Sequence, residues 1–466
     1  MQMTRRTTSG FSRLSCLATG AALLLAAAAP GVAPAQVPCP ANPAWVTNPS
    51  NPNFINDPNT LCGFYQYAWQ IFLYHMAPVD AKAGAPTTAN AAKASPLRFE
   101  TLPSLTDVVG PALAAKPSAL LGPKTTFHDP RTGKTRVFQV RGSEPVKNIE
   151  QAGSNGVLVD QNGNVTYYEQ FLNPLSQGFF SACSISIAKC ESAPAAQPLR
   201  FPPGAMELKI SYRVLTSRTP NANTYVTVPN VQVWNPQVKD PKTGKYGVIQ
   251  VVNLGLVGYH LVFSTSHHPE LIWSTFEHVD NAPDGPCSGP TTPPAPFTAW
   301  TFNNRASTSC SNINNFPSGQ QAPYPVTQAF RNWLYGSIPK TNNGDQNTAT
   351  LQALNKNVLG ILPPSSILKY YFLAGGVWTN GTLPANTSNE VGGLYLANAT
   401  LETFTQTPNP NTSGNIDCFS CHNTGSTGKP SYGVSHAAGT NSSSSCPYST
   451  TLPAACQATQ KIPPAH

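Results

Sequence analysis

Eleven cysteines punctuate this 466-residue chain, and their placement constrains it more than any other pattern. Two of them stand in Cys418-Phe419-Ser420-Cys421-His422. Two thiols three positions apart, with a histidine directly after the second, form the c-type haem attachment pattern. Each thiol adds across one haem vinyl group, and the adjacent imidazole is then close enough to the iron to be its proximal ligand. The motif predicts one covalent haem c, tethered by Cys418 and Cys421, with His422 on the iron. A redox disulfide of the C-x-x-C type would want a βαβ pattern beside it. A zinc site would want a second ligand pair. Neither is visible.

Residues 1–35 read as a secretory leader. Arg5, Arg6 and Arg13 make a basic start, Leu14 to Ala29 is apolar, and Ala33-Pro34-Ala35 offers a small-residue cleavage site before Gln36. No later segment reaches the ~18 uninterrupted apolar residues of a membrane span. A periplasmic or extracellular location is therefore expected, and it suits covalent haem attachment. Cys16 leaves with the leader. Beyond the motif there remain Cys39, Cys62, Cys183, Cys190, Cys287, Cys310, Cys446 and Cys456. An even set in an oxidising compartment reads as a disulfide framework. We expect the sequence-local pairs 39–62, 183–190, 287–310 and 446–456, whose short loops close at small entropic cost. A Cys418–Cys421 disulfide would also leave an even count, so parity alone does not establish haem.

Charged residues make up only 10 % of the chain and prolines number 47. The formal charge of +8 is spread without a dense Lys/Arg cluster, so the electrostatic footprint of nucleic-acid binding is missing. Gln36 to Asn59 reads as an extended arm. Thr60 then caps a helix running to Met76, with Leu61, Phe64, Ala68, Ile71 and Phe72 on one face. Residues 77–96 read as a linker. Alternating β-branched and aromatic residues predict strands at Val137–Val140, Gly156–Asp160, Val165–Phe171, Met206–Leu215, Tyr225–Trp234 and Val248–Phe263. Asn162-Gly163 marks a tight hairpin. Val326–Tyr335 and Ala349–Leu359 read as helices, and Tyr370–Trp378 and Gly393–Phe404 as further strands. Asp129-Pro-Arg-Thr-Gly-Lys134 and Asp240-Pro-Lys-Thr-Gly-Lys245 are near-identical turn sequences. The first narrowly misses a P-loop, since His128 replaces the first Gly.

His260, His267, His268 and His278 crowd into nineteen residues beside Glu277 and Asp280. Such a cluster can bind metal, ligate a haem or do acid–base work. It can equally be a set of polar residues around a strand and its turn. Strand alternation puts His260 with Leu256, Gly258 and Val262 on an apolar inward face, where a histidine needs a partner.

Three stretches, Phe64-Tyr-Gln-Tyr-Ala-Trp-Gln-Ile-Phe-Leu73, Met206-Glu-Leu-Lys209 and Trp273-Ser-Thr-Phe-Glu-His-Val-Asp-Asn281, together with the C-terminal motif, resemble a poorly characterised group of secreted bacterial proteins. Each member carries one cytochrome c-type haem motif. The resemblance implies haem. It also implies that His260, Glu277, His278 and Asp280 belong to the recurrent core, without implying what they do there.

No Met follows Met206, so the downstream Met ligand of small cytochromes is missing. The second axial position then falls to a histidine, with His260, His278 and His436 as candidates, or stays open. The short tail after His422 argues against a free-standing cytochrome module. The expected molecule is a β-rich α+β protein, with an antiparallel-sheet body, a few helices and long loops. Residues 1–35 would be the leader, 36–410 the body, and 411–466 a haem-attachment segment docked on it. The first functional expectation is electron transfer with a redox partner protein or a small-molecule donor or acceptor. A second is a haem-dependent oxidoreductase with an open distal site, where His260, Glu277, His278 or Asp280 does acid–base or metal work. A third is a disulfide-stapled surface protein without haem.

Overall fold

The computed structural model describes residues 38–79, 96–104, 124–128, 135–139, 145–151, 156–182, 201–285, 292–304, 313–316, 319–336, 342–380, 390–406 and 418–422. Its backbone is a seven-stranded antiparallel sheet in the order β3-β4-β6-β7-β8-β9, with β5 paired to β6. The strands are β3 (Tyr167–Leu172), β4 (Met206–Leu215), β5 (Thr227–Lys239), β6 (Tyr246–Phe263), β7 (Ile272–His278), β8 (Tyr371–Thr379) and β9 (Glu390–Gly392). A separate hairpin joins β1 (Lys124–His128) to β2 (Thr135–Gln139). The helices are α1 (Ala44–Thr47), α2 (Leu61–His75), α3 (Pro174–Ala182), α4 (Asn342–Ile361) and α5 (Cys418–Cys421). The fold is thus α+β and β-rich, as composition and alternation predict. Among the described residues no helix is long and apolar enough to cross a membrane.

Thr60 caps α2 by accepting from the Gly63 amide at 3.1 Å, and the aromatic stripe beyond it faces the sheet. Phe72 stacks on Phe276 of β7 at 4.2 Å, and Trp69 meets the same ring edge-on at 4.9 Å. The Trp69 indole donates to Asn355 of α4 at 2.9 Å, and Asn355 in turn exchanges hydrogen bonds with the backbone of Leu373 in β8. One polar side chain therefore ties both helices to the sheet without leaving a buried donor unpaired. Cys39–Cys62 is a disulfide, which clips the N-terminal arm to α2. The other three expected pairs lie outside the described residues.

Leu158, Tyr225, Val257, Ala282, Phe302, Ala329 and Ala399 form a second, smaller core. The two cores meet at a bulge. Ser211 pairs with Gly258 but Tyr212 pairs with Leu256, so Val257 is an extra residue in β6. A one-residue insertion reverses the alternation. Leu254 and Leu256, then Tyr259, Leu261 and Phe263, all reach the main core, whereas Val257 joins the small one. The expectation that His260 shares a face with Leu256 is corrected by this bulge: His260 lies on the opposite face, with Gly258 and Val262.

Three further expectations fail. Gly156–Asp160 is not a strand but makes only isolated bridges, Val157 with Glu150 and Val159 with Val165. Val326–Tyr335 is not a helix. Its amides bond outward to neighbouring segments, Thr327 to Val159, Ala329 to Phe302 and Arg331 to Pro283, and only a 3-10 turn at Leu334–Gly336 remains helical. Gly393–Phe404 is not a strand. It turns repeatedly, pinned by its own side chains: the Asn398 amide donates to Glu402 and the Thr400 amide to Asn398. The Asn162-Gly163 hairpin forms, with Asp160 N–H bonded to Asn164 O, and Asp240–Lys245 is the turn between β5 and β6. The Asp129–Lys134 loop lies outside the described residues.

Candidate functional site

The C-terminal motif forms one helical turn, α5, closed by the His422 amide bonding Cys418 O at 2.8 Å. A helical turn brings positions three and four apart to the same side, the arrangement two tethers and an axial ligand on one macrocycle require. The turn is seated on the body. Phe419 is fully buried, and the His422 ring lies 4.1 Å from that of Trp273 on β7.

Trp273 pairs with Val262, and its neighbour Thr275 pairs with His260. Trp273 and His260 are thus diagonal neighbours on one face, a spacing of roughly 7 Å. Beside them on β4, Lys209 pairs with His260. Glu402, from the turning segment over this face, accepts from His260 Nε2 at 2.5 Å. Burial disfavours the charged form of Glu402, but His260 and Lys209 outweigh it and hold the carboxyl below its ordinary value. Burial also pulls the Lys209 ammonium down, against the pull of Glu402. The result is a half-buried His–carboxylate–Lys group next to the surface that receives His422.

The remaining residues of the histidine cluster do not converge. His267 pairs with Asp57 at 3.3 Å and His268 with Glu270 at 2.9 Å. His278 is fully buried. Its Nδ1 lies 2.6 Å from Asp280 and its Nε2 3.3 Å from Thr224 O, while Tyr225 stacks on its ring at 4.1 Å. Asp280 also accepts from the Tyr225 hydroxyl at 2.5 Å. Burial raises its pKa, yet His278 and Arg213 more than compensate and keep it ionised below the usual range. Glu277 receives two bonds from Arg331, at 3.1 and 2.6 Å, and one from the Ala399 amide at 3.0 Å. Each cluster histidine thus has its own carboxylate, and no group of three or more metal-ligating residues exists among the described residues. Glu277 and His278, at the end of the central strand β7, and Asp280 just beyond it are held by these bonds as a structural brace. His436 lies outside the described residues.

Sequence reasoning missed Glu402, which comes from a distant turn and carries no local signal. Trp273 and Lys209 stood inside the recurrent islands without an assigned role. Comparison with protein-family models, with curated proteins and with solved structures finds no match to this chain.

The residues present fit a haem. The Trp273 indole nitrogen is buried without a partner among the described residues, beside the ring of His422. Lys209 supplies a second donor on the same face. A haem brings two carboxylates to its site, and an indole N–H and an ammonium are groups that satisfy them.

Proposed function

We propose that this protein is an exported c-type cytochrome that transfers electrons. One haem would be held by thioethers from Cys418 and Cys421, with His422 as proximal ligand. The observation that carries the reading is the seated motif: a helical Cys418–His422 turn anchored by buried Phe419 and packed on Trp273. Bound haem supplies an iron that cycles between ferric and ferrous states by one electron. The chain's own part is to fix the His422 ring against Trp273, offer Trp273 Nε1 and Lys209 Nζ to the haem carboxylates, and cover one side with protein. Burial of the macrocycle and ligand identity then set the potential. The leader-like residues 1–35 support export, where such attachment occurs.

A second reading has one specific observation behind it. The His260–Glu402 pair is half-buried on the same face, and beside an open iron site it could move protons in an oxidoreductase.

The test is a pyridine haemochrome spectrum and an intact mass of protein produced in a host that matures c-type cytochromes. A c-type band and a covalent haem adduct are expected, both lost in Cys418→Ala/Cys421→Ala. A haem-free chain with Cys418 and Cys421 joined as a disulfide would overturn the proposal and favour a stapled surface protein.

A further inference from the structure

We infer that His260 is the second axial ligand of the haem iron, with Glu402 as its positioning residue. The inference rests on the haem reading above and names the group that closes the iron. It is drawn from how five histidines of the body, His75, His260, His267, His268 and His278, are engaged. His75 is buried on α2 and bonded to Tyr259 at 2.7 Å. His268 is held by Glu270 and packed edge-on against Phe64 of α2. His267 is exposed on Asp57. His278 has an oxygen partner at each ring nitrogen and no exposure. His260 differs from all of them. It lies on the face of Trp273, where His422 packs, it is 15 % exposed, and only its Nε2 is hydrogen-bonded among the described residues.

That bonding pattern suits a metal ligand. A ligating imidazole typically gives its other N–H to a carboxylate, which fixes the tautomer and makes the free nitrogen a better donor. Glu402 does this for His260. Its own geometry is fixed by the Asn398 amide, which donates to its second oxygen at 2.9 Å. Nδ1 of His260 is then left with its lone pair. Ligation by two histidines gives a lower potential than Met/His ligation and leaves no open coordination position. Electron transfer is then favoured over reaction with peroxide or dioxygen.

The experiment uses the full haem-loaded protein. Wild type should be low-spin in the ferric state and, once reduced, should not bind CO. His260→Ala should keep the same haem content by pyridine haemochrome but become high-spin and gain CO and cyanide binding. His260→Met should stay low-spin with a raised potential, so it reports ligation even where the alanine variant folds poorly. Glu402→Gln should remain low-spin with a raised potential, a shift that a merely structural contact would not produce. A high-spin, CO-binding wild type overturns the inference in favour of an open site. A fully haem-loaded His260→Ala that keeps the wild-type low-spin spectrum overturns it in favour of another ligand such as His436. A wild type without c-type haem fails at the earlier step, and the haemochrome assay distinguishes that failure from the other two.

Discussion

His75 carries the clearest pH signature of any single residue. It sits at the end of α2, almost wholly buried, with Nδ1 on the Tyr259 hydroxyl. Burial, with Arg98 adding to it, pushes its pKa from 6.5 down to about 3. The folded state therefore refuses a proton that the unfolded chain accepts below pH 6.5. Stability from this group is complete above pH 6.5 and is lost as pH falls, by about 1.4 kcal/mol per unit until the folded value is reached. In urea titrations between pH 7 and 4.5, wild type should lose stability steeply. His75→Gln should start less stable at pH 7 yet decline less, by about 2–3 kcal/mol over the window. Parallel slopes for the two proteins would clear His75 of this role.

At the scale of elements, α2 and its arm form one stitched unit. Gln66 and Gln70 donate from α2 to Pro40 O and Ser50 O, and the Tyr67 hydroxyl reaches Asn53 O and Asn56 O. The disulfide closes a sequence separation of 23. Opening it in Cys39→Ala/Cys62→Ala should cost about 3 kcal/mol, mainly by releasing unfolded-state entropy. It should also make the 38–59 arm the first site of limited proteolysis. An unchanged denaturation midpoint would mean the side-chain stitching suffices alone.

The helix, this disulfide and the bounds of β4 were legible because each is written locally: a cap, a stripe, a short loop, an uninterrupted alternation. What was not legible is non-local. The extra Val257 in β6 is recognisable only against its partner β4, and it decides which face His260 occupies. Val326–Tyr335 has apolar residues at helical spacing, but three neighbouring segments take its amides first. β7 was read as a histidine-rich stretch instead of a central strand because its polar residues point to partners, Arg331 and Asn398, that sequence does not place beside it. The motif itself was legible. Its seat on Trp273 was not, since a ring contact between residues so far apart in sequence has no local trace.

For the whole molecule, the question is whether the Cys418–His422 segment is part of the body or a passenger on it. The main core draws its buried residues from Cys39 through Trp378, and the small one ends at Ala399. Neither contains a residue of the motif. The attachment instead includes Phe419 burial and the His422–Trp273 contact, worth roughly 2–4 kcal/mol together. A chain ending after Gln406 keeps every strand of the sheet, α2, α4 and the Asn398–Glu402 turn. It should therefore fold without the motif, unfold cooperatively, and melt only a few degrees below the full-length chain without haem. Calorimetry of the two would decide. A truncated chain that fails to fold would show that the body needs residues 407–466 to fold. The docking of the Cys418–His422 turn would then be a consequence of folding, not a contact added to a finished sheet.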